Sequence, residues 1–537
     1  MTTYDAVVVG AGHNGLTCAA YLARAGLDVV VVERSEMVGG ACVTEELFDG
    51  FRMSTAAYSL SLLQPQIISD LGLKLEVRRR DPVAFAPYEG GGGLFLWGES
   101  SRRAAAIAEL SRKDAAAYDR LYELFDEAAR RLRPLLSYPA TRKQVKRAFK
   151  ASETPELFER TIEGSIAALC EEYFEHEFMQ GYIASQGITG TVGGPRTEGT
   201  AYVFLHHALG EAAGASGAWG FVRGGMGTIT GQLADAVGAA GGEIRLSSEV
   251  DHIRLDGGRH ASGVVLSSGE EIAAAVVCSG ADPKRTLTLA PAEAWSPEFV
   301  EDVGLLPSNG PVVKVNCALS GLPAFRGVGR RGEAGPEHRG MIVVSPSIDY
   351  LEAACRAAAQ GSPADPMFIE AWIQTATEPE LAPEGKHTLS IFAQYAPYEL
   401  AEGTWDERRD DIGDIVVATL ERYAPGLSEL IEHRLVLGPP DLEARFGLTG
   451  GNIFHGEILP DWMFERRPAG GWHRHRTPLP GLYLCGSGAH PGGGVTGGPG
   501  RNAARAVLED RVAGGPSFDR APGLETGHSG KKVHNLP

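Results

Sequence analysis

The stretch that decides the fold is the first one, residues 1–34: MTTYDAVVVGAGHNGLTCAAYLARAGLDVVVVER. Residues 4–9 (YDAVVV) are a short apolar run of the kind that forms a parallel strand buried on both faces. Gly10, Gly12 and Gly15 then spell G-x-G-x-x-G. Residues 14–25 read as a helix with a small-residue face, Gly26 ends it, and LDVVVVE supplies the next strand. In this order Gly10 permits the tight turn, Gly12 lets the backbone approach a pyrophosphate, and Gly15 lets the helix pack closely. The anion is expected on the helix N-terminus, where free N–H groups and the dipole favour it. Glu33, 18 residues after Gly15 and at a strand end, is placed to accept both ribose hydroxyl protons. Strand, glycines, helix, strand and acid fall in register, so the stretch reads as a dinucleotide site. His13, inside the loop, is expected to satisfy a local polar contact.

The next residues choose between FAD and NAD. After Glu33 comes RSEMVGGACVTEE, with the doublet Gly39-Gly40 and then Thr44. A second glycine pair past the acidic strand end gives backbone N–H groups another approach to cofactor phosphates. An NAD domain would run on into further βα units. Here the chain goes to FDGFRMSTAAYSL, the small, polar composition of a segment lying along a flavin. The stretch is therefore read as the holder of the ADP half of FAD.

Composition sets the outer limits. With 537 residues, two or three packed domains are expected. Glycine, at 70 residues, is roughly twice the usual ~7%, which fits tight turns and backbone-lined ligand surfaces. A net charge of −18 argues against nucleic acid as a partner. The seven cysteines include no C-x-x-C pair, so neither a disulfide framework nor a redox dithiol is expected, and a reducing cytoplasm fits best. No metal site is expected. No apolar run approaches the ~20 residues of a membrane span, and with a first strand expected from Tyr4 no targeting segment is expected within this sequence.

The fold class read from the remaining chain is α/β: a Rossmann-type FAD-binding domain assembled from discontinuous segments, with an α+β substrate domain and a helical cap. The expected division is 1–101 for the first part of the FAD-binding domain, 102–220 for the cap and 221–300 for the second part. Residues 301–440 form an antiparallel-sheet substrate domain, 441–512 the last part of the FAD-binding domain, and 513–537 a tail. Residues 102–190 have helical period and no strand signal. Within them, residues 130–150 carry eight basic residues and no acid; the reading is a solvated helix face, with peripheral membrane docking as the alternative. Gly224, Gly225 and Gly227 mimic a second fingerprint, but no βαβ unit with a ribose-binding acid follows. Residues 311–318, 340–345, 367–374 and 388–395 are strand-like without long helices between them, and a helix follows around 407–423. Late in the chain, a strand at 481–485 runs into Gly486-Ser487-Gly488, a glycine-rich loop and a helix beginning near Gly500. That second helix N-terminus is expected at the flavin's N1–C2=O edge.

The opening fingerprint, the Gly39-Gly40 doublet and the late segment together resemble the flavin amine oxidase and phytoene desaturase superfamily. Within it, GAGHNG, TGGNIFHGE (residues 449–457) and HPGGGVTGGPG (residues 490–500) resemble the pyridine nucleotide-disulfide oxidoreductase domain-containing, phytoene-dehydrogenase-like branch. The likeness spans about residues 4–512. It implies a noncovalent FAD and a buried substrate cavity against the flavin ring. Carried over residue by residue, Gly10, Gly12, Gly15, Glu33 and Arg34 match ADP-binding positions. Gly39, Gly40, Val250, Gly486, Val495 and Thr496 match other cofactor-lining positions. Their neighbours His13, Asn14, Ala41, Thr44, Thr55, Gly280 and Ser487 complete the expected lining. The late loop reads GGGVTGGPG where carotene desaturases more often place a proline soon after the glycines, which argues against a carotenoid.

The expected activity is flavin-mediated removal of hydride from a carbon of a small or apolar substrate, by C–C desaturation or oxidation next to nitrogen. A redox-neutral double-bond isomerase and a flavin-bearing binding protein without turnover stay open beside it. His455, Glu457 and His490 are the candidate catalytic groups. The alternatives, that His455 and Glu457 only shape a turn and that His490 only anchors the glycine loop through its ring N–H, stay open too.

Overall fold

The valine runs of the opening stretch form the middle of a sheet. Thr2–Val9 pairs in parallel with Val29–Val32 on one side and Glu271–Ser279 on the other. Glu243–Arg245 extends the sheet beyond Val29–Val32, and Leu482–Leu484 pairs with the end of Glu271–Ser279, both again parallel. Ala6 and Val8 pack into one core and Val7 into another. With both faces covered, the strand shows a continuous apolar run rather than alternation. Helices His13–Arg24, Gly227–Ala239 and Gly498–Val512 pack together over one face. The other face packs against Ile253, Val264 and Leu266 of the antiparallel ribbon Val250–Asp256/His260–Leu266, and against Trp295 and Phe299. The computed structural model describes residues 2–330 and 332–513, so the expected tail, Ala513 apart, lies outside the described residues.

A second sheet runs in the order Ile431–Leu437, Val312–Leu319, His387–Gln394, Phe368–Trp372, Met341–Val344, Ala84–Pro87, Gly93–Leu96. Two expectations are corrected here. Residues 84–96 belong to this sheet and not to the nucleotide domain, so the first nucleotide segment stops short of 101. The sheet is also mixed, because Met341–Val344 runs parallel to Ala84–Pro87 while its other pairs are antiparallel. The helix Trp405–Glu421 is fixed by a capping box at Thr404 and Glu407 and packs against Ile431–Leu437. The cap helices between Ser100 and Ala208 share one apolar core with this sheet, Phe125, Phe204 and Ile183 on their side and Phe368 and Ile391 on the sheet's among others.

The basic stretch is partly consumed by the protein itself. Arg142 pairs with Glu163 and Asp461, Lys146 with Glu159 and Arg131 with Glu127, while Arg133 donates to the carbonyls of Ala208 and Leu209. Arg130, Lys143, Arg147 and Lys150 remain exposed. All seven cysteines are free. Among the described residues no helix is long and apolar enough to cross a membrane.

Candidate functional site

Each fingerprint glycine takes the geometry its position requires. Gly10 turns at φ +93°, the left-handed region that favours glycine. A Cβ added at Gly12 would meet nothing within 4 Å, so this backbone faces open space. At Gly15 a Cβ would lie 2.0 Å from Gly10 O, and at Gly500 one would lie 2.1 Å from Asn14 O. The N-termini of helices His13–Arg24 and Gly498–Val512 therefore converge without side chains between them. Asn14 Nδ2 donates to Ser487 Oγ at 3.0 Å, tying the first loop to the last. Glu33 is buried at the strand end, its carboxylate accepting from Ala11 N at 2.7 Å and Ser35 N at 3.0 Å. Gly39 N donates to Ala11 O at 2.9 Å, which lays the doublet alongside the fingerprint.

From this loop a cavity of about 1220 Å³ runs into the molecule. Its nucleotide end is lined by Gly10, Gly12, His13, Asn14, Gly15, Glu33, Arg34, Gly39, Gly40, Ala41, Val250, Gly280, Ser487 and Val495, fourteen of the expected cofactor residues. Arg34 is anchored there by the carbonyls of Ala444 and Arg445. His13 makes the local contact expected of it: its ring donates to Gly494 O at 3.1 Å, and burial pushes its pKa down to about 4. His455 lines the cavity near His13, with φ +60° and no partner for its buried Nδ1; burial lowers its pKa although Asp282 opposes the shift.

The far end of the cavity is one face of the second sheet. Glu370 and Lys314 each stand abreast of Phe392, from the strands on either side, so the three form a row. In the next row Trp372 and Asn316 flank Ser390. Lys314 is 2% exposed; its Nζ donates to Ser390 Oγ and to Asn316 Oδ1 and lies 5.0 Å from the centre of the Tyr58 ring. Burial pushes its pKa down to about 7. The Glu370 carboxylate accepts from Gln186 Nε2 at 3.2 Å and Tyr58 OH at 3.5 Å, and burial outweighs Arg80 to push it up to about 7. Tyr58 packs on Trp372 with ring centres 3.8 Å apart. Sequence reading missed this end altogether. The available signals were a lysine inside the valine strand PVVKVNCA and a glutamate inside MFIEAWIQ, both charged residues in runs buried end to end.

Six expected site residues do not line the cavity. After the doublet the chain folds into a hairpin, Thr44–Phe48 with Phe51–Ser54. Thr44 Oγ1 there accepts from Gly227 N at 2.8 Å, and Thr55 donates to the Glu45 carboxylate. Gly486 serves packing, since a Cβ would lie 2.5 Å from Gly280 O. Thr496 precedes the last helix, its Oγ1 accepting from Gly498 N at 3.1 Å, and the helix N-terminus stands behind Gly494 and Val495 rather than at the cavity wall. The carboxylate of Glu457, 1% exposed, is taken up by Thr191 Oγ1 and the N–H groups of Val192, Ile458 and Leu459. The His490 ring donates to Leu135 O at 3.0 Å, fastening the glycine loop to the cap, and burial lowers its pKa to about 4. Glu457 and His490 thus lie off the cavity, with partners that suit the anchoring alternative left open above. Only His455 of the three reaches the cavity.

The residues present fit an FAD. The space before Gly12 is one a cofactor phosphate fills, and the unpartnered Asn14 Oδ1 and His455 Nδ1 are buried polar atoms that a ligand would satisfy. The volume exceeds the ~300–1,000 Å³ of an ordinary small-molecule pocket, leaving room for a substrate beside a cofactor. Residues 15–340 match the family described as flavin containing amine oxidoreductase. The pyridine nucleotide-disulfide oxidoreductase domain-containing protein 2 of Mus musculus is 38% identical, with 94% of each chain covered. A phytoene desaturase (lycopene-forming) of Pantoea ananas is 25% identical over 94% of this chain and 99% of its own. Among solved structures, an oxidoreductase from Methanosarcina mazei superposes with a TM-score of 0.60 at 17% identity, covering 95% of this chain and 100% of its own. A family match over more than half the chain, on a cavity built this way, places the protein in the flavin containing amine oxidoreductase family as an FAD-dependent oxidoreductase.

Proposed function

We propose that the protein removes hydrogen from a carbon of a small or apolar organic substrate, by C–C desaturation or by oxidation next to nitrogen. The observation that carries this reading is the row Glu370–Phe392–Lys314, which faces the same cavity as the fingerprint. FAD, when bound, supplies the acceptor for the two electrons. Gly10, Gly12, Gly15, Glu33, Gly39 and Gly40 would hold its ADP portion, with Val250, Gly280, Ser487 and Val495 along the rest. Tyr58, Trp372 and Phe392 give the far end an aromatic wall that holds water away from the substrate. Lys314 Nζ, with a pKa lowered to about 7, is a neutral amine for a large fraction of the time near neutral pH and can accept the proton that leaves with the hydride. The Pantoea ananas phytoene desaturase, named for removing hydrogen from carbon, supports the desaturation branch.

The test is anaerobic mixing of the FAD-loaded protein with a metabolite library, following loss of the visible flavin band. Lys314→Met should keep its FAD and slow bleaching by the active compound at least 100-fold. A Lys314→Met protein that bleaches at the wild-type rate removes the lysine from the mechanism, and a library without a single bleaching compound removes the oxidative reading. A redox-neutral double-bond shift is the second reading. It is favoured by a proton acceptor and a proton-holding carboxyl in one row, and it predicts product without consumption of any acceptor.

A further inference from the structure

The far end of the cavity holds a cation the mechanism leaves unused. Arg80 follows the strand Val77–Arg79 and is 6% exposed, yet it is among the residues that line the cavity, and its buried Nε and Nη1 have no hydrogen-bond partner. Burial lowers its pKa to about 10, which still leaves it charged at neutral pH; Glu370 is the carboxylate acting on it. That carboxylate is engaged by Gln186 and Tyr58 and is itself protonated about half the time near pH 7, so it does not supply a full counter-charge. A buried ion without its partner costs several kcal/mol. The second orphan at this end is also a donor: Trp372, 2% exposed, is among the residues that line the cavity, and its Nε1 has no acceptor. The unpartnered N–H groups of Arg80 and Trp372 thus want a ligand group that only accepts, and a charged donor matches a carboxylate best.

We propose that this end of the cavity takes an organic acid as substrate, its carboxylate received by Arg80 and the indole N–H of Trp372, its apolar part lying along Tyr58 and Phe392. The inference rests on the reading above that the second-sheet face is the substrate end. It requires no catalysis to be tested.

Three probes of one shape and different charge decide it: phenylacetate, phenylacetamide and phenethylamine, titrated into the FAD-loaded protein. Quenching of tryptophan fluorescence and displacement of the visible flavin band report binding. The acid should bind at least tenfold tighter than the amide, with the amine weakest. Arg80→Met, checked for FAD content and circular dichroism, should bind acid and amide alike, and Arg80→Lys should recover part of the preference. Trp372→Phe, which removes the indole donor along with part of the ring, should weaken the acid more than the amide and so narrow the preference, so a misfolded Arg80→Met does not end the test. Equal binding of acid and amide by the wild type, a preference for the amine, failure of the acid to bind, or an Arg80→Met protein that keeps the preference would overturn the proposal. Its failure is separable from that of the proposed function: acid preference without bleaching by any metabolite leaves this site standing and removes the redox reading, while bleaching without acid preference does the reverse.

Discussion

At the scale of the residue, Gly12 separates folding from cofactor binding. Its φ of −70° suits any residue, and no protein atom stands within 4 Å of an added Cβ. Gly12→Val should therefore fold with an unchanged circular dichroism spectrum and purify colourless, with at least tenfold less FAD per chain; a yellow, fully loaded variant would show the phosphates lie elsewhere. Glu370 makes a prediction about pH. Its folded-state pKa is raised to about 7 from an ordinary 4.5, so its contribution to stability is full below about pH 4.5 and is lost as pH rises through 7. Glu370→Gln lacks that loss. The variant's advantage in urea unfolding should be small at pH 5 and grow to about 3 kcal/mol by pH 8; a pH-independent difference would mean the carboxyl titrates normally.

At the scale of the element, two loops are held in place by one side chain. Arg467 is fully buried, and its guanidinium donates to the carbonyls of Phe454 (2.5 Å), Glu457 (2.8 Å) and Ser487 (2.8 Å). It thus fixes the loop bearing His455 against the strand end bearing Ser487. Arg467→Met leaves three buried acceptors unpaired at about 1–3 kcal/mol each, and should destabilise by more than about 4 kcal/mol in urea titration. Thr496→Leu acts on a neighbouring element. It removes the hydrogen bond to Gly498 N and should cost about 1 kcal/mol of stability while leaving the flavin spectrum nearly unchanged. A large spectral change with intact stability would restore the sequence expectation that this loop acts mainly on the flavin. The difference shows what was legible. The fingerprint could be read because its parts are contiguous and its glycines act through local backbone geometry. In 486–500 some residues face the cavity and others the protein behind it, and only packing against Leu62, Phe454 and Pro283 decides which. The far end was hidden for a further reason: sheet register brings Lys314 into one row with Glu370, with Trp372 in the next, and Tyr58 and Arg80 join them from segments outside that sheet.

At the scale of the whole molecule, the described residues build one complete dinucleotide site. The glycines at 224–227 follow a strand, Gly220–Val222, that pairs with Val77–Arg79 outside the parallel sheet, and they do not build a second phosphate cradle. NADPH at micromolar concentration should therefore reduce the flavin only slowly and without saturation in stopped-flow mixing; fast, saturable bleaching would require a nicotinamide site beyond the one cradle that the described residues form. The discontinuous nucleotide domain and the continuous second sheet also explain why fold class was readable when the boundary at 101 was not. Strand signals report that a strand exists, and residues 84–96 join their sheet only through partners beyond residue 340.

The late strand Leu482–Leu484 has a consequence for biosynthesis. It occupies a slot beside Glu271–Ser279, and the residues that follow it supply Ser487, Gly494 and Val495 to the cavity wall. On a ribosome the slot stays vacant while roughly 200 further residues emerge, on the order of 10–40 s at ordinary elongation rates. During that interval the nascent chain lacks Ser487, Gly494 and Val495, so the cavity wall is incomplete. A chain cut before this strand should therefore purify with less FAD than the full chain, and the edge of Glu271–Ser279 that Leu482–Leu484 covers is left open for pairing.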